Sequence, residues 1–345
     1  MALFIAPDVA IDLGTSNTLV YVKGAGIEVN EPSVLLVDTS GKHTVKAIGD
    51  DAHALMGRTG DNSTVVNPLK DGVISDYEMT VNMIRSFLRR AIGSSYLVGP
   101  RISLTVSCNI SSIERKAVNE AAQAAGARRN HVYLIEKPFV AALGSGLPVY
   151  EAVGSMIVDI GGGTVDIAVI SLGGIVIHQS IRVGGNKMDE AIANYTKREF
   201  NIEIGLKTAE DIKLDLGAAV LLPEERVIRI RGRDVITSLP HDTKLTSRQV
   251  HEALHEPCLA ILEAIKKVLE KTPPELSADI MRNGIYLSGG GAKLAGLDQF
   301  IADEIGIPVF LAKDPAEASI LGQRYLIDNI EVMLLNNKQG LLTGI

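Results

Sequence analysis

The sequence has no tryptophan, its aromatic residues amount to only 4%, and its two cysteines are Cys108 and Cys258. Two cysteines cannot supply a disulfide framework. Neither belongs to a CxxC pair of the zinc-binding kind, so a reducing cytoplasm is the expected setting. Long uncharged apolar runs are missing too: the most apolar window, residues 156–177, carries Asp159 and Asp166 and is broken by glycine turns, which rules out a bilayer span. The opening MALFIAPDVA lacks the basic segment of a secretory signal. No basic run is long and the net charge is -7, which argues against nucleic acid as a partner, because a phosphate backbone rewards clustered Lys and Arg. No proline-rich or low-complexity stretch intervenes. What remains is 345 residues, 46% of them hydrophobic, enough for two folded domains.

Apolar, β-rich runs predict strands at 9–13, 18–23, 27–37, 102–107 and 132–135, and again at 155–160, 165–171, 174–183 and 285–288. Helical spacing predicts helices at 78–91, 111–127, 186–200, 207–215 and 247–271. Strands alternating with helices imply mixed sheets covered by helices, an α/β fold.

Two phrases are nearly alike: IDLGTSNTLVYV at 11–22 and VDIGGGTVDIAVIS at 158–171. In each, an apolar strand ends on an aspartate and a tight glycine turn follows at once. One copy alone reads as an ordinary hairpin; two copies indicate an internal duplication. Their chemistry is also shared. Backbone N–H groups of a turn without bulky side chains can approach phosphate oxygens, and an aspartate beside them can hold a hydrated divalent cation. Two facing copies would grip a polyphosphate, with Mg²⁺ between Asp12 and Asp159. A third glycine-rich strand end, YLSGGGAKLAGL at 286–297, places backbone donors at a helix start, which suits a nucleotide.

Other motifs fail or compete. Neither a Walker loop nor GxGxxG occurs, so P-loop and Rossmann chemistry are not indicated. HEALH at 251–255 matches the zinc-protease pattern, but the match is short, Pro257 follows directly, and its glutamates read as a solvated helix face.

At this point the chain resembles the actin, heat-shock chaperone and sugar-kinase ATPase superfamily, and within it the bacterial actins MreB and Mbl. The resemblance rests on DVAIDLGTSNTLVYVKGAGIEVNEPSV, PLKDGVISDYEMT, VDIGGGTVDIAVISLGGIV, KTAEDIKLDLG, RGRDVITSLP, EKTPPELSADI and YLSGGGAKLAGL. It implies an actin-like fold: two RNase-H-like domains around an ATP–Mg²⁺ cleft. The first core would span 1–32 and 66–145 with about 315–335 returning to it, and carry a small subdomain at 33–65. The second would span 146–182 and 245–314, with a small subdomain at 183–244. The resemblance further implies filaments, built from paired protofilaments, on the inner face of the cytoplasmic membrane, working with cell-wall elongation and shape proteins.

By position, Gly14, Thr15, Ser16 and Asn17 would form the first phosphate loop, and Gly161, Gly162, Gly163 and Thr164 the second. Asp12 and Asp159 would hold Mg²⁺ through water. Glu210, Asp211, Ile212 and Lys213 would reach the ribose and adenine, with Gly289, Gly290, Gly291 and Ala292 closing the other side. Thr164 would orient the attacking water. The family's second water-directing group, the second acid of IEEP or IDEP, is a lysine here: IEKP, with Lys137 after Glu136. A protonated lysine cannot accept a proton from water, so slow hydrolysis is expected. TVD with Asp166, TVSCN without its proline, and GGNKMDEA with Asn186 and Lys187 are further departures. Leu3, Phe4 and Ile5, with Tyr96, Leu97 and Val98 between Arg89, Arg90 and Arg101, form apolar tips with basic flanks, suited to an anionic membrane surface. A small-molecule kinase of the same superfamily stands as the competing reading.

Overall fold

A computed structural model describes residues 5–41, 44–94 and 96–329. Two five-stranded sheets dominate it, and they share one topology. In the first, Val9–Leu13 pairs antiparallel with Asn17–Val22, which pairs antiparallel with Gly26–Pro32; on its other side Val9–Leu13 runs parallel to Ile102–Val106, and that to Val132–Glu136. In the second, Ser155–Ile160, Val165–Ser171, Gly174–Ile181, Ile285–Ser288 and Val309–Leu311 take the same places in the same senses. Parallel neighbours need a crossover. Helices supply it: Tyr77–Ile92 and Ser112–Ala125 in the first half, Gly185–Phe200, Leu206–Leu216 and Ser247–Lys271 in the second. The duplication read from two phrases therefore extends to whole sheets.

Alternation along the strands splits the core into layers. Val9 and Ile11 face the helices Tyr77–Ile92 and Ser112–Ala125, while Ala10 faces a second cluster that also holds Ile157 and Ala168 of the other sheet. That inner layer contains two helices, Lys137–Gly144 and Ala318–Asp328. They cross backbone to backbone: a Cβ on Gly322 would stand 1.9 Å from the Val140 carbonyl oxygen. The second helix also docks on the first sheet, where the buried Gln323 amide donates to the Ile11 carbonyl at 3.2 Å.

One expected strand is two. Residues 27–37 break after Pro32, which has no N–H to continue the ladder. The Val34 N–H turns back to the Pro32 carbonyl and Ser33 N–H is taken by Ser16. Leu35–Asp38 then joins a separate sheet with Val45–Ile48 and Ser63–Val66. A further three-stranded sheet, Ile202–Glu203, Val227–Asp234 and Pro240–Thr246, was not expected from the sequence.

Candidate nucleotide site

The two phosphate turns face each other across the cleft between the sheets. A Cβ on Gly163 would meet Thr15 Oγ1 at 2.6 Å and the Asp71 backbone at 3.1 Å. Only glycine lets the turns approach so closely. Ser16 Oγ donates to Asn186 Oδ1 at 3.0 Å, and Asn67 Nδ2 donates to the Thr15 carbonyl at 2.8 Å. The second turn is stapled to the start of the helix Gly185–Phe200, since the Gly185 and Asn186 N–H groups donate to Gly161 and Gly162.

The aspartates hold equivalent positions in the two halves, and each is fixed by a hydroxyl from the neighbouring parallel strand. Thr105 Oγ1 donates to Asp12 Oδ1 at 2.6 Å, and Ser288 Oγ to Asp159 Oδ1 at 2.8 Å. Both carboxylates are buried, 5% and 1% exposed. Asp166, paired across the hairpin from Asp159, accepts from Ser107 Oγ at 2.6 Å and from Thr164 Oγ1 at 3.1 Å.

Lys137 opens the inner helix, and its ammonium enters this group. Nζ lies 3.6 Å from Asp12 Oδ1 and 3.4 Å from Asp159 Oδ2. Burial disfavours its charge, yet the fields of Asp12, Asp159 and Asp166 outweigh that and hold the ammonium above the usual lysine range. Burial also pushes the Asp159 carboxyl up, Asp12 and Asp166 adding to it while Lys137 and Ser288 pull the other way. The carboxylates thus raise the lysine against its burial, whereas burial leads the rise of Asp159 and the neighbouring carboxylates add to it.

The cavity around these groups has about 210 Å³ and opens into a second of about 360 Å³, through Ser16, Asn17, Gly161, Gly162 and Gly290. The first part is polar and suits phosphates. The second is lined by Met188, Glu210, Lys213, Leu214, Lys293 and Leu294, apolar enough for a flat ring with charged groups at its edge. An outer space of about 570 Å³ lies beyond the turns, bridged by His53 Nε2 and Glu210 Oε2 at 3.7 Å.

A family model, that of the MreB/Mbl protein, matches residues 6–334. The chain is 47% identical to the cell shape-determining protein Mbl of Bacillus subtilis over 329 residues, covering 94% of this chain and 97% of that one. It is 45% identical to the cell shape-determining protein MreB of Escherichia coli over 329 residues, 94% of each chain. The chain belongs to the MreB/Mbl family. Among solved structures, MreB 5 of Spiroplasma citri bound to AMPPNP superposes with a TM-score of 0.91 at 36% identity, covering 96% of this chain and 99% of that one. The MamK double helical filament shares the fold, with a TM-score of 0.76 at 22% identity over 92% of this chain and 98% of that one.

Within this MreB/Mbl fold the expected site residues divide. Gly14 to Asn17, Gly161 to Thr164, Gly289 and Gly290 line the phosphate part, and Glu210, Lys213 and Gly291 the wider part. Lys213 is already engaged, with its Nζ 2.8 Å from Asp189 Oδ1 and 3.1 Å from the Gly185 carbonyl. Asp211 lines neither part of the cavity and pairs with Lys207 at 2.8 Å. Ile212 is core, and Ala292 is buried against it. Thr105, Ser107, Ser288 and Asn186 complete the site without having been expected there. The hydroxyls at the ends of two apolar strands, in TVS and LSG, were the available signal.

The Lys137 ammonium stands between the two aspartates, where the resemblance puts Mg²⁺. A hydrated Mg²⁺ holds its waters at about 2.1 Å, and each water reaches a carboxylate in about another 2.7 Å, so the ion and the ammonium would claim one space. The residues present do not fit a divalent ion between Asp12 and Asp159.

The remaining expectations lie outside the cleft. Leu3 and Phe4 fall outside the described residues. Ile5 forms a bridge with Val98, Tyr96 is exposed, and Leu97 is 86% exposed. Two of the three flanking arginines are engaged: Arg90 with Glu31 at 2.5 Å and Arg101 with Asp8 at 2.7 Å. Arg89 is exposed. In HEALH, His251 contacts the Ala218 carbonyl through Nδ1 at 3.1 Å, and no group of side chains able to hold a metal occurs among the described residues.

Proposed function

We propose that this chain binds ATP between its two halves and assembles with copies of itself into filaments that organise cell shape and cell-wall synthesis. The observation that carries the reading is the pair of facing glycine turns, each beside an aspartate fixed by a hydroxyl. Such turns present several backbone donors to one polyphosphate. Relatives named for cell shape determination and a relative solved with AMPPNP and with ADP support it. The two halves, each a five-stranded sheet with a small outlying sheet, would act as the two domains of the cleft. The relatives' names, which are those of cell shape-determining proteins, favour this reading over a small-molecule kinase of the same superfamily. High-speed sedimentation tests the assembly: the pellet should grow on adding ATP. Gly163→Val drives a side chain into Thr15 and the Asp71 backbone, so its nucleotide affinity should fall at least about tenfold. An unchanged affinity would remove the turns from the account.

The filament's place is the inner face of the cell membrane, reached through Ile5 and the loop at Leu97. Among the described residues no helix is long and apolar enough to cross a membrane, so contact would be peripheral. Burying one exposed leucine is worth about 1.5–3 kcal/mol. Leu97→Ser should therefore cut liposome flotation roughly tenfold or more, and flotation equal to wild type would clear this loop of any part in it.

A further inference from the structure

We propose that the Lys137 ammonium is the resident cation of this site, and that the chain binds its nucleotide without a divalent ion. The inference rests on the nucleotide reading above and deepens it. Its first ground is position: Nζ is within 3.6 Å of an oxygen of each aspartate, one from each half of the molecule. The second is constraint. The ammonium enters from the first turn of a helix that begins with Lys137 and Pro138 and whose other end is held where Gly144 meets Ala318 and Gly322. The backbone that carries the ammonium is therefore held in place, and the side chain is only 18% exposed.

The third ground is the balance of charge. Asp12, Asp159 and Asp166 are all buried, and a polyphosphate set beside three carboxylates needs a cation between them. A diffusible Mg²⁺ fills that need where the space is open. Here a covalently attached ammonium fills it, with hydrogen-bond donors that can reach a phosphate oxygen directly. A tethered cation does not depart with a chelator. It also carries one charge where Mg²⁺ carries two, so the nucleotide is held with less electrostatic help and with no coordination bond joining its phosphates.

The test measures affinity of the intact chain for AMPPNP by calorimetry in excess Mg²⁺ and in excess EDTA, for wild type and Lys137→Glu. Wild-type affinity should differ by less than about threefold between the two conditions, while Lys137→Glu should lose at least about tenfold in EDTA. A wild-type loss of that size in EDTA overturns the proposal, and so does metal-free binding by Lys137→Glu as tight as wild type's. Failure of wild type to bind in either condition would instead sink the nucleotide reading, and the proposal with it. The wild-type comparison stands even if the glutamate variant misfolds.

Discussion

Phosphate release from ATP filaments of Lys137→Glu, measured in Mg²⁺, should exceed that of wild-type filaments by about 10²-fold to 10⁴-fold, the range that general-base assistance contributes. In wild type the carboxylates around Lys137 are already engaged. Glu136 accepts from Arg115 at 3.1 Å. Asp166 holds Ser107 and Thr164, which ties down the hydroxyl that the resemblance assigns to orienting water. Asp12 and Asp159 face the ammonium and their own hydroxyl donors. A glutamate at 137 changes two things together: it supplies a base, and it removes the cation, so Mg²⁺ can enter. The gain should therefore disappear in EDTA. Lys137→Gln, which supplies neither a cation nor a base, should not show it. Wild-type turnover equal to or faster than the glutamate variant's would mean that hydrolysis here never depended on an acid at this position.

The parts of the site legible in the sequence were those written locally. An aspartate, a glycine turn and two β-rich runs lie within a dozen residues, and each hairpin forms from its own segment. Seeing the phrase twice was enough to anticipate two equivalent halves. Contacts between distant segments were not legible. Nothing near Lys137 says that its ammonium meets Asp12 and Asp159, because strand order decides it: Val132–Glu136 ends beside Ile102–Val106, one strand from Asp12. Aligning the two halves would have exposed Thr105 and Ser288 as partners of the aspartates, since both lie on the fourth strand of their sheet. The hairpin Val227–Asp234 with Pro240–Thr246 escaped notice because its strands are largely exposed and Arg229, Arg231 and Arg233 alternate with Ile228, Ile230 and Gly232. The helix Lys137–Gly144 was hidden by its junction: it starts on the residue after a strand and is only 8 residues long.

Lys137→Met should destabilise the nucleotide-free protein by about 3–5 kcal/mol, the usual cost of removing one partner from a buried ion pair. Methionine nearly matches the lysine chain in length and volume, so packing is spared and the missing charge is what the experiment reads. Asp12 and Asp159 would then face each other across the cleft with only Thr105 and Ser288 to compensate them, and the two halves would repel where they now share an ammonium. The thermal midpoint should fall by roughly 5–10 °C. Mg²⁺ added to the variant should recover part of the loss, because the vacated space between the aspartates then admits a divalent ion, and binding to the native state alone stabilises it. Added to wild type, the same ion should leave the midpoint where it was. A methionine variant as stable as wild type would show that the ammonium is not what holds the two aspartates together; equal stabilisation of both proteins by Mg²⁺ would place the ion somewhere other than between them.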